Sequence, residues 1–386
     1  MFVLFVIYLF CILLIWWSYS GYIIYLFTYY ILRRGSHNFP KQKFTYPFIS
    51  LLLPVYNEDK LIIKKLNNLK KLHYPGKLEV IIIDGGSADN TFKLIKNRAA
   101  KLKNYKILVS KKGKIQQLNL GLKKAKGKII VVTDADAILP LNALEILAQG
   151  FKNSQTAVVG AYIMPKGSQL ERKYWQEQNQ LRVIESKVYS SSIVVAPCYA
   201  FRKTLILKFP DDCVADDIYI SFYAQSKDFL VKYDSQVLVY ETRVPKNIDE
   251  FFTHKFRKAN AMITELLRFV YLTNRFNIRS RIIYLSKFFQ VIVLPWVLIL
   301  FLAISVNLII INTSYRIAVG LVFLFLLISV LVATSLFNQK VFSIEKPIFP
   351  KQGINLKIFF FTNFILFFAI FSHFFYNQDS CYEKIN

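Results

Sequence analysis

Between residues 47 and 247, short continuous apolar runs alternate with amphipathic stretches, the pattern of buried strands and covering helices in a mostly parallel sheet. Residues 49–53 read as a first strand. Leu61, Ile62, Leu66, Leu69 and Leu72 recur at helical spacing over 58–72, and His73-Tyr74-Pro75-Gly76 stops that helix. A strand over 78–83 runs into Asp84-Gly85-Gly86-Ser87, and Asp89-Asn90 suits the cap of a helix over 91–102. A strand over 105–109, a helix over 115–125 and a strand over 129–132 complete a βαβ series of nucleotide-binding character. Beyond 136 the pattern predicts a helix over 141–151, a strand over 157–163 and a polar, surface-lying helix over 169–189. A strand over 194–202, a helix opening at 215–221 and a final strand over 236–240 follow. There is no internal repeat and no low-complexity segment.

The flanks have a different pattern. Residues 1–32 carry no charged side chain, more than the roughly 20 residues a spanning helix needs. Trp16-Trp17 and the tyrosines at 22–30 suit interfacial anchors, so one tilted span is expected rather than two. A removed signal peptide is the competing reading, but the basic start and short apolar core are missing. Three further apolar stretches, at about 288–310, 318–337 and 356–376, bring the expected spans to four. A basic amphipathic segment over 248–285 suits the membrane surface and contact with lipid. The expected parts are thus an N-terminal transmembrane helix (1–32), a nucleotide-binding domain (33–247), interfacial helices (248–285) and C-terminal transmembrane helices (286–386). Lys340, Lys346, Lys351 and Lys357 stand against Glu345 between the third and fourth spans, whereas only Arg316 lies between the second and third. The positive-inside rule then places 33–283 and 338–355 in the cytoplasm and both termini outside.

Composition changes the picture in two respects. Apolar residues reach 54% with 35 Phe, which agrees with an integral membrane protein, and the Ile-, Lys- and Phe-rich usage points to an AT-rich prokaryotic genome and a plasma membrane. The formal charge is +26, but Lys and Arg are interleaved with apolar residues rather than gathered in runs, which argues against nucleic acid as partner. An anionic leaflet and an anionic substrate account for the charge. Cys11, Cys198, Cys213 and Cys381 have neither metal nor disulfide spacing. Asn312-Thr313-Ser314 fits a glycosylation sequon, a motif short enough to be common by chance.

Candidate chemistry begins at Asp134-Ala135-Asp136, which follows an apolar run and so stands at the mouth of a buried strand. Hard divalent cations take carboxylate oxygens, and ligands of open α/β sheets bind outside the carboxyl ends of strands. In isolation the pair equally suits a solvated turn. Asp216-Asp217, Glu58-Asp59 and Lys114 likewise suit ordinary positions at helix starts.

Taken together, Pro54-Val55-Tyr56-Asn57-Glu58, Asp84-Gly85-Gly86-Ser87-Ala88-Asp89-Asn90-Thr91, Lys112-Gly113-Lys114-Ile115-Gln116-Gln117-Leu118-Asn119, Asp134-Ala135-Asp136 and Ala215-Asp216-Asp217 resemble the motifs of the family 2 glycosyltransferases. The likeness is to the membrane-embedded branch that includes hyaluronan, chitin and cellulose synthases, and it covers residues 47 to about 265. It implies a nucleotide-binding GT-A-like α/β domain with a mostly parallel mixed sheet, flanked by one N-terminal and three C-terminal transmembrane helices. It also implies Mg²⁺ or Mn²⁺ on Asp136, with Asp134 reaching the metal or the ribose, and Asp217 as catalytic base. Pro54, Tyr56, Asn57, Glu58, Asp84, Lys114, Asp216 and Arg257 match positions that bind substrate, Asp84 facing the uracil of a nucleotide sugar. The chemistry asks for these types: a diphosphate leaving group needs its growing charge offset, and a hydroxyl nucleophile needs a base in reach.

Two departures stand out. The family's second Asp after the second strand is Gly85, which loosens the inference to uracil. The Gln-x-x-Arg-Trp of processive members is His254-Lys255-Phe256-Arg257-Lys258, which keeps Arg257 as a diphosphate donor but lacks the Trp platform for an acceptor sugar. Three readings follow. The first is a membrane-integrated inverting transferase passing sugar from a nucleoside diphosphate to a lipid-linked or saccharide acceptor at the cytoplasmic face. The second is a processive polysaccharide synthase that exports its chain, and the third a non-catalytic transporter or scaffold. Intramembrane ionisable residues usually mark transport, and the spans hold almost none. The oligomeric state is not legible.

Overall fold

The computed structural model describes residues 2–32, 44–100, 102–167, 169–245, 247–311, 313–337 and 356–375. They fall into two compact units, drawn from Met1–His37, Asp249–Leu266 and Ile282–Asn386, and from Asn38–Ile248 and Leu267–Arg281. Arg33, Arg34, Asn312, Lys340, Glu345, Lys346, Lys351 and Cys381 lie outside the described residues.

The second unit is built on a mixed sheet of β1 (Ile49–Val55), β2 (Leu78–Asp84), β3 (Tyr105–Val109), β4 (Ile129–Thr133), β5 (Ala137–Ile138), β6 (Thr156–Pro165), β7 (Cys198–Arg202) and β8 (Leu230–Glu241). The order is β3-β2-β1-β4-β7-β6-β8-β5. β3, β2, β1 and β4 are parallel, and β1, β2 and β4 are largely apolar and buried, as befits strands covered on both faces. Helices Asp59–Lys70, Thr91–Ala99 and Lys114–Lys124 form the crossovers. β7 turns antiparallel to both β4 and β6, while β6 and β8 run parallel. Glu79 interrupts the apolar run of β2 far from the site: it accepts from Ser50 Oγ and the Lys126 N–H, each at 2.6 Å, and pairs with Lys106, so this buried acid is structural.

The helix expected on the surface over 169–189 is present as Gln169–Val188, but one side of it is buried, polar residues Glu171, Asn179, Arg182 and Glu185 included. Glu171 accepts from Trp175 Nε1 (2.9 Å), Asn179 donates to the Ile163 carbonyl (2.7 Å), and Glu185 accepts from the Ser192 N–H (2.7 Å). Polarity read as solvation is here polarity matched by partners, which no periodicity records. The last strand is longer than expected, running from Leu230, and the strand expected over 194–202 starts at Cys198.

In the first unit, three helices among the described residues are long and apolar enough to cross a membrane: Phe2–Leu32, Ile278–Ile311 and Tyr315–Leu336. The helix Leu356–Phe375 stands where a fourth span is expected. Tyr8, Cys11 and Ile15 pack against Leu294, Val297, Phe301 and Ile304. Polar side chains here bond one another across helices: Tyr8 with Ser305 (3.1 Å), Trp17 to Ser286 (3.1 Å), Tyr19 to Asn363 (3.2 Å) and Ser20 with Ser329 (3.0 Å). The helices Phe2–Leu32 and Ile278–Ile311 each carry a π-helical turn, Trp17–Gly21 and Phe289–Val293, and Gln290 Nε2 donates to the Ser18 carbonyl freed there (2.8 Å).

Candidate active site

Strand order reverses between β1 and β4, where ligands of open α/β sheets bind. β1 pairs with β4 only from Ile49↔Ile129 to Leu52↔Val132, yet stays paired with β2 up to Val55↔Asp84. The two strands therefore part before they end. Pro54 lies two residues beyond the last β1–β4 pair, buried within β1 rather than at its mouth.

The loops above β1 and β2 are stitched together. Asn57 turns the chain at φ 50°, a left-handed conformation Asn tolerates, its N–H donating to Ser87 Oγ (3.0 Å) and its Oδ1 accepting from the Ala88 N–H (2.9 Å). Asp84 is 2% exposed and holds its own turn, accepting from the N–H groups of Gly86 (3.0 Å) and Ser87 (2.9 Å) and from Ser87 Oγ (2.6 Å). Gly86 closes that turn at φ 77°, where a side chain would be strained. Tyr56 is half-buried beside this loop, with the Lys112 ammonium 5.0 Å from its ring centroid.

Gly85 has a local explanation. Its N–H donates to the Val55 carbonyl (2.9 Å), and a Cβ there would meet Gln117 Nε2 at 3.1 Å and Cδ at 3.2 Å. Gln117 is buried and donates from Nε2 to the carbonyls of Val55 (2.6 Å) and Ile83 (2.7 Å), tying β1 to β2 at their mouths. The space of the missing carboxylate is taken by an amide one helix away.

Lys114 joins the two acidic motifs. At the start of its helix, its Nζ lies 2.9 Å from Asp134 Oδ1 and 3.2 Å from Asp216 Oδ1. Burial would depress this lysine, but the carboxylates of Asp134, Asp216 and Asp217 outweigh it and hold its pKa above the ordinary range. Asp216 is buried and also accepts from the Tyr199 hydroxyl of β7 at 2.5 Å. Asp217 is half-buried, and among the described residues its carboxylate forms no ion pair. Burial and the adjacent Asp216 push its pKa up to about 7 against the pull of Lys114.

On the other side, Glu58, which caps the helix Asp59–Lys70, receives both terminal nitrogens of Arg243, Nη1 at 3.2 Å from Oε1 and Nη2 closer still to Oε2. The Asp136 carbonyl accepts from the Thr242 N–H (3.0 Å) and hydroxyl (2.8 Å). Burial, Asp134 and Glu241 push the Asp136 carboxyl up to about 7, with Arg243 opposing. Two half-buried acids side by side, one of them reluctant to ionise alone, fit a hard divalent cation by donor type. No cluster of three His, Cys, Asp or Glu that could hold a metal occurs among the described residues, so such a cation would take one or two carboxylates and fill its remaining positions with water and phosphate oxygens.

Of the expected site residues, Tyr56, Asn57, Glu58, Asp84, Lys114, Asp134, Asp136, Asp216 and Asp217 line the carboxyl ends of the parallel strands and the loops between them. Arg257 belongs to the other unit, on the helix Ile248–Val270. Its neighbour His254 is buried, and burial together with Lys258, Lys255 and Arg257 holds the imidazole far below its usual range, hence neutral. Tyr199, Arg243, Gln117 and Lys65 were not predicted. Only Lys65 left a signal: it completes the i, i+3, i+4, i+7 stripe of Ile62, Leu66 and Leu69, a lysine on a buried face.

Residues 50–209 match the family model Glycosyl transferase family 2. Those residues form a domain of that family. Among curated relatives of this chain, the poly-beta-1,6-N-acetyl-D-glucosamine synthase of Staphylococcus epidermidis is 28% identical over 278 residues, 67% of this chain. The match covers 66% of that synthase, just under two thirds of its length. The probable glycosyltransferase YdaM of Bacillus subtilis (strain 168) is 26% identical over 350 residues, 84% of this chain and 79% of the relative. Among solved structures, the mannosyltransferase PcManGT of Pyrobaculum calidifontis, in complex with GDP-Man and Mn²⁺, superposes over 95% of this chain and 99% of its own, with TM-score 0.66 and 20% identity. That likeness fixes the fold as GT-A-like, flanked by apolar helices.

Proposed function

We propose that this glycosyltransferase is a metal-dependent, inverting enzyme of the membrane. In this reading it transfers sugar from a nucleoside diphosphate, with UDP as carrier, to a lipid-linked or saccharide acceptor at the cytoplasmic face. The observation that carries the reading is the Lys114 bridge, which gathers Asp134 and the Asp216-Asp217 segment, 82 residues further along the chain, around one ammonium. The relatives' names make N-acetylglucosamine the first sugar to test.

Asp217 takes the proton of the acceptor hydroxyl as its oxygen attacks the anomeric carbon; the bond from that carbon to phosphate breaks, and its electron pair leaves with the nucleoside diphosphate. One displacement inverts the centre. A divalent cation held by Asp136 and Asp134 would offset the leaving charge. Lys114 adds a fixed positive charge on the same side, and Asp216, tied by Tyr199 and Lys114, keeps Asp217 oriented. Glu58 and Arg243 tie the loop after β1 to the segment after β8, and Arg257 is proposed as a further diphosphate contact.

A second reading, processive synthesis, draws on the relatives' names. The replacement of Trp by Lys258 and the mutual pairing of polar groups within the membrane unit weigh against it. The test is nucleoside diphosphate release by detergent-purified protein across a panel of nucleotide sugars with Mg²⁺ or Mn²⁺. Asp136→Asn and Asp217→Asn should each lower turnover by about 10²-fold or more. Sizing of labelled product separates single addition from polymer. Absence of turnover with every donor, membrane lipid extract included, would sink the proposal.

A further inference from the structure

Beneath the Asp134–Asp136 loop lies a buried cation that the chemistry above does not use. Lys65 is 0% exposed, although a lysine is almost never fully buried without good reason. Its ammonium makes two hydrogen bonds, to Thr133 Oγ1 at 2.7 Å and to the Ala137 carbonyl at 2.6 Å. These are the residues immediately before and after Asp134-Ala135-Asp136. Thr133 passes the restraint on, donating to the Pro197 carbonyl (3.0 Å), which also accepts from the Asp134 N–H (3.3 Å). One turn along the same helix face, Asn68 grips the strand after the loop, donating to the Leu139 carbonyl (2.8 Å) and accepting from the Leu139 N–H (2.9 Å). The helix Asp59–Lys70 thus fastens the acid loop from below at both ends.

We infer that Lys65 is a positioning residue for the acid pair: its ammonium fixes the span between Thr133 and Ala137, so that Asp134 and Asp136 meet a divalent cation already in place, and its charge partly offsets theirs before any ligand arrives. A purely structural residue here would not need to be charged, since a methionine of similar length fills the volume without the cost of a buried ammonium. The hydrogen bonds go to the two ends of one three-residue loop rather than to an acid partner, and this is what assigns the role. Preorganisation of this kind matters because ligand groups must sit close to their working geometry. The inference rests on the reading of Asp134 and Asp136 as the cation site.

The test compares wild type, Lys65→Met, Thr133→Val and Asp136→Asn, all full-length in detergent. It measures Mn²⁺ binding by electron paramagnetic resonance without substrate, and the half-saturating Mn²⁺ and KM for nucleotide sugar in the transfer assay. Lys65→Met should weaken Mn²⁺ binding about tenfold or more, the size expected when a group supporting metal ligands is lost, with a much smaller change in nucleotide KM at saturating Mn²⁺ and partial recovery of kcat there. Thr133→Val keeps the charge and removes one tether; it should weaken Mn²⁺ binding in the same direction but less, and it carries the test if Lys65→Met does not fold. Folded variants with wild-type Mn²⁺ affinity, beside an Asp136→Asn protein that no longer binds Mn²⁺, would overturn the role of Lys65 alone. Wild type that binds no Mn²⁺ would overturn both this inference and the cation site it rests on.

Discussion

Asp216 and Asp217 are neighbours in the chain with opposite surroundings. Asp216 is buried against Tyr199 and Lys114, while Asp217 forms no ion pair among the described residues and is pushed up to about 7 by burial and by Asp216 itself. The working form of a base is the ionised one, so transfer should rise with pH through about 7 and level off above it. Asp216→Asn removes the like charge and should move that acid limb to lower pH, whereas Lys114→Met removes the opposing cation and should move it higher. The measurement is the pH dependence of kcat/KM at saturating metal, and a limb that ignores both substitutions would remove Asp217 from the role of base. Asp134 and Lys114, read one by one, are unremarkable residues at a turn and a helix start. Their meaning comes from 2.9 Å of separation.

At the scale of elements, the mouths of β1 and β2 are closed by a side chain from a third element. Gln117 occupies the space that a side chain at position 85 would enter, and both strands depend on its amide for hydrogen bonds to Val55 and Ile83. Gly85→Asp alone should therefore destabilise the domain by about 1–3 kcal/mol through overpacking. Combined with Gln117→Ala, it should recover part of that loss, because the intruding side chain then has room. Thermal or denaturant unfolding of the four proteins of this cycle gives the coupling, and additivity within about 0.5 kcal/mol would show that the two positions do not compensate. The elements themselves were mostly legible in sequence: β1, β2 and β4 are largely apolar runs, and the helices between the parallel strands keep a 3.6-residue period. The helix Gln169–Val188 was misread as surface-lying because its buried polar groups find partners on β6 and around β8.

At the scale of the whole molecule, the apolar helices of the first unit match a membrane protein by length and composition. The proposed orientation, with residues 33–283 and 338–355 cytoplasmic and both termini outside, makes a direct prediction in a bacterial host. An alkaline phosphatase fused after residue 386 should be active and a fluorescent protein there dark, while fusions within 338–355 should behave in the opposite way. A fluorescent C-terminal fusion would remove one span from the count. The paired polar groups of this unit, Tyr8 with Ser305 and Tyr19 with Asn363, lock helices together rather than line a path.

The sequence by itself determined the alternation of strand and helix, the apolar flanks and the identity of the acids, because burial, period and residue type are local properties that each short segment carries. Tertiary structure alone decided which residues meet. Lys114 reaching both acid motifs, Arg243 closing on Glu58, Gln117 filling the space beside Gly85 and Lys65 fastening the acid loop all join positions between 20 and 185 residues apart. Such pairings follow from strand order and from the parting of β1 and β4, and a hydrogen bond formed across the fold leaves no period in the chain.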